Sequence, residues 1–150
     1  MVFSPDARDL SLLGELRKDA SLSEKKLAKK TGIPVTTVHN RLKRLNLERV
    51  ITQYTVRIDF SKLGQPITAY VLVKAAPQAD QKKLMDHIAN LPNIFEVAMI
   101  TGEFDILVKA RVQNMGALNE LIVQHLRKQK DVNETRTMIS YQTVELSGMV

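Results

Sequence analysis

Residues 32–45 are GIPVTTVHNRLKRL, and how this stretch divides into faces decides how the first half of the chain folds. At about 100° per residue, Val35, Val38, Leu42 and Leu45 fall within an arc of about 80°. Thr36, Thr37, Asn40 and Arg44 lie opposite, Lys43 and Arg41 take the flanks, and His39 sits near the apolar border. The spacing predicts a helix over 35–45 with one side on a core and the other offering hydroxyls, an amide and cations.

The elements before it are also helical. In SPDARDLSLLGELRKD (4–19), Ser4 is expected as N-cap with Pro5 at the first helical position. Leu10, Leu13 and Leu16 form a stripe, so a helix is expected over about 5–18. In SLSEKKLAKKTG (21–32), Ser21 and Glu24 have capping-box spacing, Leu27 and Ala28 face inward, and Gly32 suits a left-handed terminus. Two helices joined by the tight turn Gly32-Ile33-Pro34 make a helix-turn-helix braced by the first helix.

After residue 49 the period changes. In VITQYTVRIDF (50–60), Val56, Ile58 and Phe60 alternate with Arg57 and Asp59, which predicts a connecting strand. A turn at Lys62–Pro66 closes it. Strands are then expected at 67–76, 94–101, 104–112 and 134–146, with helices at 80–91 (Leu84, Ile88 and Leu91 inward) and 116–128 (Leu118, Ile122 and Leu126 in phase). The order βαββαβ predicts a ferredoxin-like sheet with both helices on one face. The expected fold class is therefore α+β: a winged-helix-like helix-turn-helix domain over 1–49, a connecting strand and linker over 50–66, and a ferredoxin-like domain over 67–150. Ile67, Ala69, Val71 and Val73 would face the helices. Tyr70 and Leu72, with Ala98, Ile100 and Leu107 beside them, would leave an apolar sheet face that marks an association surface. A homodimer also suits the first half, because a helical domain of roughly 60 residues is only marginally stable and covers one DNA half-site.

Composition narrows the chemistry. The 150 residues are 44% hydrophobic and 25% charged, with net charge +6, a globular composition. No apolar run approaches the roughly 20 residues of a membrane helix, and MVFSPDARD lacks a signal-peptide layout, so a soluble cytoplasmic protein is expected. Cysteine is absent, which removes disulfides and thiolate chemistry. The histidines at 39, 87 and 125 lie in separate elements, and no P-loop, GxSxG or GxGxxG occurs. No catalytic site, metal or cofactor is expected. The charge is concentrated: residues 1–60 hold 12 Lys/Arg against 7 Asp/Glu, and residues 61–150 hold 10 against 9. Such a field attracts polyanions. Asn pairs bidentately with adenine and Arg with guanine, so Asn40 and Arg44 are the expected base readers on double-stranded DNA. Thr36 and Thr37 would touch bases or phosphate, and Lys25, Lys26, Arg41 and Lys43 would contact phosphates.

TGEFD (101–105) has two readings. It is a hairpin connection using the permissive Gly102, or a site where exposed amides take the carboxylate of a free amino acid and Asp105 takes its ammonium.

From about residue 4 to 146 the chain resembles the Lrp/AsnC regulators, also called feast/famine regulatory proteins. The resemblance rests on D-x-x-D at Asp6 and Asp9, LAKKTGIPVTTVHNRLKRL at 27–45, VITQY at 50–54, TGEFD at 101–105, and the T-R-T of Thr135 and Thr137. It implies dimers formed through the sheet, further assembly to tetramers or octamers, and palindromic promoter sites. It also implies an amino-acid effector near Gly102 and Asp105, with Thr101, Thr135 and Thr137 as neighbours. Two positions depart from the family pattern: Pro34 where a serine cap is usual, and Arg49 where glycine is usual. An arginine there must adopt a left-handed backbone at a cost of roughly 1 kcal/mol or reshape the turn. The competing readings are a metabolite-sensing ferredoxin-like module whose basic helices dock an acidic protein, and an architectural DNA-compacting protein.

Overall fold

The structure, a computed structural model, describes residues 3–144. It divides into two compact units, one built on the chain up to Arg57 and one on Ile58–Thr143.

The first unit has three helices: α1 (Ala7–Lys18), α2 (Glu24–Thr31) and α3 (Val35–Leu47). Leu12, Leu16, Leu27, Ile33, Val38, Leu42 and Leu45 form its core. Both expected N-caps are displaced by two residues. Asp6, not Ser4, caps α1: its carboxylate accepts from the N–H groups of Arg8 and Asp9, and Asp9 accepts from the Asp6 N–H in return. A carboxylate with this reciprocal partner satisfies two of the orphan donors of the first turn. Ser23, not Ser21, caps α2, because the Ser21 hydroxyl instead donates to Asp19. Gly32 ends α2 at φ +70° as expected. The stripe of α1 is also rotated: Asp9, Leu12 and Leu16 are buried, whereas Leu10 is exposed. Val35, expected in the core, is exposed too; it is the first residue of α3.

The 50–59 segment joins no ladder, no strand forms there, and residues 52–59 are all exposed. A strand needs a partner's N–H and C=O groups, and no strand among the described residues pairs with it. Val50, Tyr54, Val56 and Ile58 are left exposed.

The second unit is β1 (Ile67–Ala75), α4 (Gln81–Ala89), β2 (Ile94–Met99), β3 (Ile106–Val112), α5 (Met115–Glu120) and β4 (Val132–Ile139). All neighbours in the sheet are antiparallel and the spatial order is β2-β3-β1-β4, the split βαβ arrangement. Ala69, Val71, Val73, Ile106, Val108 and Ala110 are buried beneath the helices. α5 widens into a π-type turn over Leu121–Leu126, which inserts an extra residue and changes the phase. Leu118, Leu121 and Leu126 are buried instead of the regular Leu118, Ile122 and Leu126. The last strand ends at Ile139, so residues 140–144 of the expected strand are not part of it; residues 145–150 of the expected domain lie outside the described residues, as do residues 1 and 2. On the open face Leu72 aligns with Leu107, and Leu107 with Ala98, with Tyr70 next to Met138. A short 3-10 turn, Phe60–Leu63, is held to the sheet edge by Phe60, which meets Phe95 edge-on at 4.6 Å and lies under Arg111 at 4.2 Å.

Candidate functional site

The cations of α3 have two different environments. Asn40, Lys43 and Thr36 are exposed and Thr37 is half-buried. Arg41 is largely covered: its Nη1 donates to both carboxylate oxygens of Asp6 at 2.7 Å and to Asp9 at 2.8 Å. Arg44 donates from Nη2 to the other oxygen of Asp9 at 2.6 Å, and its guanidinium lies 5.1 Å from the Phe3 ring centroid. Asp9 is completely buried. A buried carboxylate is tolerated only with such compensation, so the two arginines, read from the sequence as DNA contacts, also clasp α3 to α1. The Asp9 N–H first and Arg41 second hold the Asp6 carboxyl below its ordinary value. His39 is exposed and pairs with Glu24 at 3.0 Å, not with the core. Lys25 and Lys26 are exposed at the start of α2. Pro34 supplies no side-chain cap to α3, so the first amides of that helix, beside Thr36 and Thr37, have no side-chain acceptor.

The turn of the second unit is organised by Asp105. Its Oδ2 accepts from the Ala75 N–H and its Oδ1 from Gln81 Nε2, both at 2.8 Å, and its own N–H donates to Val73 O. This carboxylate ties the β2–β3 connection to the end of β1 and to the first turn of α4. Gly102 has φ +121°, a conformation open to glycine. Thr101, Gly102 and Glu103 are exposed and Phe104 is buried.

Thr135 and Ile106 both pair with Val73, so Thr135 lies at the turn's end of the sheet but two strands away, about 10 Å. Its buried hydroxyl accepts from Arg127 Nε at 2.8 Å. Thr137 lies one pair further along the same helix-facing side, opposite Val71. Between them Arg136 points to the open face, 4.9 Å from the Phe104 ring centroid and 3.7 Å from Glu103. Sequence reasoning passed over Arg136 although strand alternation places it on the face opposite its two threonine neighbours. Among the described residues no group of three acidic or histidine side chains could hold a metal, and no helix is long and apolar enough to cross a membrane.

Residues 68–150 match the Lrp/AsnC ligand binding domain and residues 5–52 the winged helix-turn-helix DNA-binding family. The chain belongs to the Lrp/AsnC family. It is 39% identical over 142 residues to an uncharacterised HTH-type transcriptional regulator of Pyrococcus furiosus, covering 93% of this chain and 95% of that one. The structure of Bacillus subtilis LrpC superposes with a TM-score of 0.85 at 26% identity, covering 95% and 99% of the two chains. A Neisseria meningitidis transcriptional regulator in complex with L-methionine superposes at 0.91, with 18% identity and 98% and 96% coverage. The protein is thus a transcriptional regulator of the Lrp/AsnC type, with a helix-turn-helix DNA-binding domain and a ligand-binding domain.

Proposed function

We propose that this Lrp/AsnC member binds palindromic promoter sites as a sheet-paired homodimer that assembles further to a tetramer or octamer, and that a free amino acid tunes its binding. The observation that carries the DNA reading is the division of α3. Asn40, Lys43 and Thr36 are exposed on the face away from the core, while Arg41 and Arg44 are tied to Asp9. Asn40 is therefore the principal base reader, able to pair with adenine. Thr36 and Thr37 lie beside uncapped amides that suit a phosphate, and Lys43, Lys25 and Lys26 neutralise the backbone. Arg44 reaches DNA only as far as its bond to Asp9 allows. The in-register apolar row Leu72, Leu107 and Ala98 supports pairing through the open sheet face. The L-methionine complex of the Neisseria meningitidis regulator supports an amino acid at the 101–105 turn, with Thr101 and Gly102 at its edge, Asp105 fixing its shape, and Thr135 and Thr137 backing the same end of the sheet.

Binding to the protein's own promoter and to random duplex, measured over a salt series, tests the assignment. Asn40→Ala should cost about 1–3 kcal/mol on specific DNA and little on random DNA. Lys43→Ala should weaken both alike and lower the salt slope by about 0.9. Equal loss on both duplexes for Asn40→Ala would remove it as a base reader, and no discrete complex with the wild type would favour an acidic protein partner.

A further inference from the structure

We propose that Glu103 and Arg136 are the charged pair that recognises the zwitterionic head of the amino-acid effector, Arg136 taking the α-carboxylate and Glu103 the α-ammonium. This rests on the effector reading above and names the residues and polarity of its site.

The obvious acid of the turn is Asp105, but it is already engaged. Both of its oxygens accept protein donors, from Ala75 and Gln81, and those bonds hold three elements together. Beside it, Glu103 and Arg136 have side chains that are 62% and 55% exposed. Their separation of 3.7 Å is longer than a charge-assisted hydrogen bond of about 2.7–2.9 Å. Arg136 also lies 3.9 Å from Glu134, again a loose contact. Exposed pairs of this kind contribute little to stability and open readily. Arg136 is nevertheless well positioned: its guanidinium is 4.9 Å from the Phe104 centroid, and Phe104 is only 4% exposed. A cation held against a fixed ring keeps its orientation while its N–H edge stays open for bidentate contact with a carboxylate.

The arrangement has the polarity of an amino acid in reverse. A zwitterion entering beside Gly102 would place its carboxylate on Arg136 and its ammonium on Glu103, replacing one loose ion pair by two. Neither contact involves the side chain, which would be read elsewhere; the pair selects for the free α-amino acid as a class. An N-acylated amino acid lacks the ammonium and an amino-acid amide lacks the carboxylate, so each should lose one partner.

The test is a thermal-shift screen of the full-length protein against the twenty L-amino acids, followed by titration calorimetry on each one that stabilises it. Arg136→Gln and Glu103→Gln should each weaken binding by about 10- to 100-fold, the range for losing a hydrogen bond to a charged group, while the melting point without amino acid stays that of the wild type. The N-acetyl derivative of the same amino acid should bind the wild type and Glu103→Gln equally, because the ammonium that Glu103 would hold is missing. A stabilising amino acid that binds both variants as tightly as wild type would overturn the pair and leave the effector reading standing. Stabilisation by none of the twenty would overturn both.

Discussion

Asp9 in the helical unit and Asp105 in the sheet unit each close a short motif, D-x-x-D and G-x-x-D, and each joins elements distant in sequence, but by different partners. Asp9 is wholly buried and meets two guanidinium groups, Arg41 and Arg44, together with the Asp6 N–H. Asp105 is half-buried and meets neutral donors, a backbone amide and the Gln81 side chain. The first is a charge-compensated tether between helices, costly to break because removing one partner leaves others uncompensated. The second is a turn clamp whose donors water can reach once it is gone. The difference teaches where a family motif carries framework and where it leaves charge available for a ligand: Asp9 uses up the arginines around it, whereas Asp105 leaves Glu103 and Arg136 exposed beside it.

Asp9→Ala should have the largest effect. Arg44 is half-exposed and Arg41 retains Asp6, so a loss near the low end for broken buried pairs is expected, about 3 kcal/mol. Urea unfolding followed by circular dichroism measures it. Asp9→Asn keeps an acceptor for the Asp6 N–H while removing the charge, and should lose less. A loss under about 1 kcal/mol for the alanine variant, the level of a surface pair, would show that Asp9 is not the clasp its geometry describes.

Asp105→Ala should cost less, about 1–2 kcal/mol, because water can replace a half-buried acceptor. Gln81→Ala should cost a fraction of that, since the Ala75 N–H would keep its bond. If Asp105→Ala were as damaging as Asp9→Ala, the contrast between charged and neutral partners would not explain the two sites.

These two aspartates also mark where sequence reading succeeded and failed. The inward faces of α3 and β1 were legible, because Val38, Leu42 and Leu45, and Ala69, Val71 and Val73, recur at the period of their element and are buried as expected. The stripe of α1 was not. Asp9 occupies a core position that apolar counting skips, so the expected Leu10–Leu13–Leu16 line is offset from the buried Asp9–Leu12–Leu16 line. Its partners lie 32 and 35 residues away, and no local pattern announces a tertiary ion pair. The strand expected at 50–60 failed for a related reason: alternation reports suitability for a sheet, while pairing depends on a neighbour. At the candidate sites, the turn at 101–105 was legible by its glycine and acid. Arg136 was not, because its position is set by Phe104 of the β2–β3 connection lying beneath it, a contact that no local pattern announces.

The cap of α1 adds an acid-sensitive contact to the helical unit. The Asp6 carboxyl is held below its ordinary 3.8 by the Asp9 N–H and by Arg41. A group whose folded value is depressed favours the folded state above its unfolded value and loses that contribution as pH falls through the folded one. Stability of the helical unit should therefore decline as pH drops below 3.8, and Asp6→Asn should flatten that decline. Tracking α-helical signal against pH checks it; an unchanged acid midpoint in Asp6→Asn would remove Asp6 from the linkage.

The smallest expected effect lies at the end of α3, which the Asp9 clasp orients. Arg49 has φ +53°, its N–H donates to Asn46 O at 3.1 Å, and the Val50 N–H donates to Leu45 O at 2.9 Å. That is the double hydrogen bond of a left-handed helix terminus in which glycine is the usual residue. Arginine there bears a strain of about 1 kcal/mol, partly offset because glycine would add entropy to the unfolded chain. Arg49→Gly should therefore stabilise the helical unit by about 0.5 kcal/mol, in contrast to the losses at Asp9 and Asp105. A destabilised variant would mean that the Arg49 side chain contributes more than its backbone costs. The same variant measures whether that contribution is to DNA: if the salt slope falls by about 0.9, the arginine is kept in a strained conformation because it neutralises a phosphate.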